Sequence, residues 1–172
     1  RKAAPGAVFV CMAGTRVDSH RFVPDVLKAG VRVLVTERGI EEELGKAAEE
    51  SGLTEKELSR VTVLQTGDGR HALALLSAAR FDYPAAKMVT IGVTGTKGKT
   101  TTTHMIKTIL EAAGKKVGMI GTTGTVINGQ VTPTMNTTPE SYELHQSFAK
   151  MAEAGCQYMI MEVSSQGIKM HR

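Results

Sequence analysis

Tryptophan is absent from this 172-residue sequence, and aromatic residues make up only 4% of it. Platforms that stack unpaired bases need such rings, so their scarcity speaks against a nucleic-acid partner. Cysteine is nearly absent: Cys11 and Cys156 stand far apart, each inside an apolar stretch. Two such thiols make neither a disulfide framework nor a zinc site, and they are expected to be buried core thiols of a reducing cytoplasm. Long hydrophobic runs are lacking as well. None approaches the ~20 residues of a membrane span, so no membrane insertion is expected, and no secretory signal pattern is visible. Neither sign of charge dominates, the formal net charge being +4. A phosphate-rich small molecule needs no more than a local basic patch. Repeats and low-complexity tracts are missing too.

What is present is ordinary globular material. The hydrophobic content is 41%, enough for one large or two small cores. Ala7 to Met12 reads as a buried strand after a Pro5-Gly6 turn, and VRVLVTE and VTVLQT as two further strands. FVPDVLKAG reads as a helix closing at Gly30, and Glu41 to Ser59 as an exposed, charged helical stretch broken at Gly52. DGRHALALLSAARF predicts a helix with Ala72, Leu75, Leu76 and Ala79 on its apolar face. The pattern breaks at Asp82 to Lys87, where a domain boundary is expected, after residue 85.

The second half alternates strand and helix. KMVTIGVTG, KVGMIGTTG and CQYMIMEVSS read as strands, and NGQ as a hairpin tip. One helix is expected to bury Met105, Ile106, Ile109, Leu110 and Ala113 and to end at Gly114. A second is expected to be capped by Thr138, to carry Pro139 in its first turn and to end at Gly155. Such alternation implies a parallel sheet with crossover helices, so the fold class is α/β.

One stretch organises this half. GVTGTKGKTTTTH, residues 92–104, packs three glycines, two lysines and six threonines between a strand and a helix. Glycines let the backbone curl so that several N–H groups point at one spot. The helix start adds unpaired N–H groups and the positive end of its dipole. The result is a phosphate cradle. Lys99 would reach the β- and γ-phosphates as a flexible point charge, and Thr100 would turn its hydroxyl to Mg2+. The spacing departs from the strict P-loop, because Gly92 lies one residue early and Gly95 two late. Glu162 falls where the last strand ends, at the carboxyl edge where ligands of parallel sheets gather. A carboxylate there is well placed to share a metal with Thr100.

GVTGTKGKTTT resembles the nucleotide loop of the Mur ligase family, G-x-T-G-T-N-G-K-[ST]-[ST], with Lys97 where asparagine is usual. Folylpolyglutamate synthetases have a related loop. Three other stretches narrow the resemblance to the branch that adds the third residue of the peptidoglycan stem peptide. RKAAPGAVFVCMAGTRVDSHRF is similar to the start of that branch's UDP-binding domain, with Ser19 in place of its usual glycine. MNTTPES is similar to its N-T-T-P segment. MEVSSQGIKMHR is similar to E-V-S-S-H-x-L-x-x-x-R, with Gln166 for histidine and Met170 for a common glutamine.

The resemblance implies a small N-terminal α/β UDP-binding domain over residues 1–85, then the first part of a P-loop ATP-binding domain over residues 86–172. It implies a monomeric, cytoplasmic ligase that uses ATP and Mg2+, with Lys99 and Glu162 catalytic. Gly95, Thr96, Lys97, Gly98, Lys99, Thr100 and Thr101 would hold the nucleotide, with Thr100 and Glu162 on the metal. Thr15, Arg16 and Val17 would line the uridine nucleotide. Asn136, Thr137, Thr138, Ser164 and Arg172 would contact the UDP-muramoyl-peptide substrate. The second substrate would be an amino acid, L-lysine or meso-diaminopimelate. The resemblance also implies that these residues are a fragment, inactive alone. Two alternatives stay open: a ligase of the folylpolyglutamate or cyanophycin synthetase kind, and a non-catalytic P-loop nucleotide-binding module.

Overall fold

The computed structural model describes residues 3–14 and 17–172, with the backbone alone at Ser51. The chain divides into two compact units, residues 1–72 and 73–172.

In the first unit, β1 (Val8–Val10) leads through a 3-10 turn at Ser19–Phe22 into α1 (Val23–Lys28) and then β2 (Val33–Thr36). There follow α2 (Glu41–Ser51), α3 (Glu55–Leu58) and β3 (Thr62–Gln65). The strands run parallel in the order β1-β2-β3. Val23, Leu27, Val31, Leu34, Ile40 and Ala47 form the core with Cys11. The charged stretch is therefore not wholly exposed: α2 buries Ala47 and Glu43 on its inner side. Gly52 ends α2 at φ +66°, a left-handed conformation that glycine adopts without strain. Burial pushes the Cys11 thiol up to about 12, with the Asp18 and Glu43 charges adding to it, so this cysteine is inert core.

Helix α4 (Gly69–Arg80) spans the division. Its expected inward face is turned out, with Leu75 57% and Leu76 40% exposed. Ser77 is the buried centre of the opposite stripe. Both stripes have helical period, so periodicity alone did not choose between them.

The second unit opens with a 3-10 turn at Pro84–Lys87 and β4 (Val89–Val93). Next come α5 (Lys99–Ala112), β5 (Val117–Gly121), β6 (Gly124–Ile127) and β7 (Gln130–Thr132). It closes with α6 (Ser141–Glu153), β8 (Tyr158–Glu162) and α7 (Ser165–Lys169). The sheet order is β4-β8-β5-β6-β7. Its first three strands are parallel, as the alternation predicts, and β6 and β7 extend it antiparallel. Asn128 and Gly129 both have positive φ between the paired Ile127 and Gln130, the tight turn the NGQ motif predicts.

Two further expectations for the helices are corrected. On α5, Ile106 and Leu110 pack on the sheet, but Met105 is 60% and Ile109 65% exposed. The apolar residues cover a wider arc than the sheet contacts. On α6 the N-cap is Glu140, not Thr138, because the Thr138 hydroxyl is engaged by β8 and the residues after it. Among the described residues no helix is long and apolar enough to cross a membrane.

Candidate functional site

The second unit gathers its polar residues at the carboxyl ends of β4, β5 and β8. Strand β4 ends at Val93, which pairs with Glu162. The chain then curls through residues 94–98 and enters α5 at Lys99. Gly95 has φ +138° and Gly98 +81°. A Cβ at Gly98 would meet nothing within 4 Å, so conformation and not space demands glycine there. The loop residues are solvent-exposed, and Lys99 arches back so that Nζ donates to the Gly95 carbonyl at 2.7 Å. Lys97, also exposed, adds a second cation to the same loop.

Glu162 closes β8 and is 2% exposed. Its Oε1 accepts from the Thr100 hydroxyl at 3.0 Å and from the Thr122 N–H at 2.9 Å. Its Oε2 accepts from the Thr122 hydroxyl at 3.3 Å. Among the described residues this carboxylate forms no ion pair with a lysine or arginine. A buried carboxylate held only by neutral donors fits a cation. No cluster of three His, Cys, Asp or Glu that could cage a metal occurs among the described residues. That donor set suits magnesium, which takes one or two protein ligands and completes its shell with phosphate oxygens and water.

The segment between β7 and α6 lies beside this pair. Thr137 Oγ1 is 3.0 Å from Thr122 Oγ1, while Asn136 is exposed to solvent. Thr138 is only 2% exposed. Its hydroxyl donates to the Glu162 carbonyl at 3.0 Å, accepts from the Ser164 N–H at 3.1 Å and lies 3.2 Å from Ser164 Oγ. Ser164 also caps α7 by accepting from the Gly167 N–H. Arg172 pairs with Glu140 at 2.7 Å, and its Nη1 donates to the Thr138 carbonyl at 3.4 Å. Its Nε is buried with no partner. The structure thus brings Lys99, Thr100, Glu162, Thr137, Thr138, Ser164 and Arg172 into one continuous set. Thr138 and Ser164 use their hydroxyls to hold the segment together.

Thr122, Gly121 and Glu140 were missed by the sequence reading. A signal existed for the first two. They sit at the carboxyl end of a parallel strand, the edge that already pointed to Glu162.

Of the three uridine candidates, Thr15 and Arg16 lie outside the described residues, and Val17 is 44% exposed. The flanks of that loop are tightly held. Ala13 bridges to Asp18, the Gly14 N–H donates to the Val17 carbonyl, and Glu37 Oε2 accepts from the Ala13 N–H at 2.7 Å. Buried His20 meets Asp18 through Nδ1 and accepts from the Glu37 N–H through Nε2 at 3.2 Å. The His20 backbone N–H and then its ring hold the Asp18 carboxyl below the usual carboxylate range.

Two family models match the chain: "Mur ligase family, catalytic domain" over residues 1–81, and "Mur ligase middle domain" over residues 93–172. The UDP-N-acetylmuramoyl-L-alanyl-D-glutamate--2,6-diaminopimelate ligase of Clostridium perfringens is 39% identical over 172 residues, covering 100% of this chain and 32% of that protein. The ligase of the same name from Caldanaerobacter subterraneus is 38% identical, again over 100% of this chain and 33% of its own length. A solved structure of a protein so named superposes with a TM-score of 0.74 at 21% identity, over 98% of this chain and 31% of that one. The MurF ligase of Thermotoga maritima in complex with ADP gives 0.55 at 21% identity, over 95% of this chain and 30% of that one. The chain spans about a third of the length of the relatives it matches.

Proposed function

Because this chain belongs to the Mur ligase family, we propose that it supplies the UDP-binding domain and part of the ATP-binding domain of a cytoplasmic amide ligase. That ligase adds the third amino acid to UDP-N-acetylmuramoyl-L-alanyl-D-glutamate in peptidoglycan synthesis. The names of its similar relatives favour diaminopimelate over lysine. The observation that carries the reading is the contact of Glu162 with Thr100, 3.0 Å apart at the head of the phosphate loop.

A carboxylate does not condense with an amine unaided, because oxide is a very poor leaving group. Transfer of the γ-phosphoryl group of ATP to the substrate carboxylate makes an acyl phosphate. The amine then attacks that carbonyl carbon, and phosphate leaves. The protein's work is positioning and charge neutralisation. Backbone N–H groups of residues 95–101 receive the phosphates. Lys99 exchanges its bond to the Gly95 carbonyl for β- and γ-phosphate oxygens. Thr100 and Glu162 are the residues that would hold Mg2+, which when bound offsets charge on the transferring phosphoryl group. Asn136 and Thr137 offer an amide and a hydroxyl to the UDP-muramoyl-peptide. Thr138, Ser164 and Arg172, tied to one another, complete the set that contacts this substrate. Thr15, Arg16 and Val17 line the uridine nucleotide in the domain of residues 1–85, and the ATP-binding domain begins at residue 86.

The test incubates the complete gene product with ATP, Mg2+ and UDP-muramoyl-dipeptide, with diaminopimelate or lysine, and measures released phosphate. Release that needs the dipeptide and one diamino acid is expected, with Lys99→Ala lowering kcat/KM by about 100-fold or more. Release dependent on a folate, or none with any acceptor, would overturn the reading.

A further inference from the structure

Thr122 is not one of the residues that the family resemblance points to, yet it touches two functional elements at once. Its N–H and its hydroxyl each donate to Glu162, one to each carboxylate oxygen, at 2.9 and 3.3 Å. Its Oγ1 also lies 3.0 Å from Thr137 Oγ1, in the segment before α6. The preceding residue, Gly121, leaves the space that the carboxylate fills, since a Cβ there would stand 2.3 Å from Oε1. Thr100 holds the carboxylate from the other side. A glutamate side chain has three rotatable torsions. Held by Thr100 alone, its outer oxygen would be free to swing.

We propose that Thr122 is a positioning residue: it orients the Glu162 carboxylate toward the cation that accompanies the nucleotide and ties that carboxylate to the Thr137 hydroxyl. The proposal rests on the nucleotide-site reading above. A hydroxyl serves both contacts, because it donates one proton to the carboxylate and accepts from a neighbour. Valine has the same shape without either capacity. It keeps the backbone N–H bond and removes the bond to Oε2.

The experiment measures Mn2+ binding to the complete gene product with ADP present, by the electron paramagnetic resonance signal of free Mn2+. Thr122→Val is expected to raise the Mn2+ dissociation constant about tenfold, the scale of losing one outer hydrogen bond to a metal ligand. Thr122→Ser is expected to restore it to within about twofold of the parent. Melting temperatures of both variants, taken without metal, show whether the fold is kept. If Thr122→Val binds Mn2+ like the parent, or if serine fails to rescue a valine defect, the proposal is overturned. Glu162→Gln separates the two levels of argument. If it too leaves Mn2+ binding unchanged, or if the parent binds no Mn2+ with ADP, the metal-site reading itself has failed. If only Glu162→Gln weakens binding, the assignment of Thr122 alone is wrong.

Discussion

Gly121 ends β5 where any added Cβ would stand 2.3 Å from Oε1 and 2.9 Å from Cδ of Glu162. The carboxylate is buried and held on both sides, so it has no free space to yield. Gly121→Ala is therefore expected to displace Glu162 and weaken Mn2+ binding with ADP by about tenfold or more. Unchanged binding in that variant would show that the carboxylate can shift freely. Gly118 is a different case. A Cβ there meets Met151 Sδ at 2.4 Å, the flexible part of a side chain that can give way. The cost there is repacking of a core that is 0% exposed at Met151, with no route to the site.

Helix α6 ends at Glu153, and Gly155 follows at φ +76° with the Cys156 N–H donating to the Met151 carbonyl. That left-handed stop was legible in the sequence, and Gly155→Ala is expected to cost about 1 kcal/mol in denaturant unfolding. The start of the same helix was not legible. Thr138 has the chemistry of a cap, but a cap must accept a helix N–H, and the Thr138 hydroxyl already accepts from the Ser164 N–H while it donates to the Glu162 carbonyl. Helix α2 carries a pH response. Arg38, by its side-chain hydrogen bond to Glu43, holds the Glu43 carboxyl below its ordinary value of 4.5. A lowered folded value means the stabilisation is complete above the unfolded value and is lost as pH falls through the folded one. Stability against urea should thus decline as pH falls below about 4.5, and Glu43→Gln should flatten part of that slope. A parent-like slope in the variant would assign the acid sensitivity to other carboxylates.

At the scale of the molecule, residues 1–72 and 73–172 each carry their own parallel strands and core, while the chain spans about a third of its relatives. The 172 residues alone are expected to release no phosphate above background with ATP, UDP-muramoyl-dipeptide and diaminopimelate, and to bind nucleotide weakly at best. Multiple turnovers by this chain would refute that expectation. The alternation of strands and helices up to β8, the glycine-bearing loop between β4 and α5, the Asn128-Gly129 hairpin and Glu162 at a strand end were determined by the sequence. These rest on local chemistry: period, left-handed glycines and the edge rule for parallel strands. Tertiary structure alone decided that Met105, Ile109, Leu75 and Leu76 face outward, since a helix wider in apolar residues than its contact has no local reason to choose a side. It alone decided that Thr122, 40 residues from Glu162 in sequence, holds that carboxylate. Strand order sets such a meeting, and β5 neighbours β8 only because the chain crosses back between them.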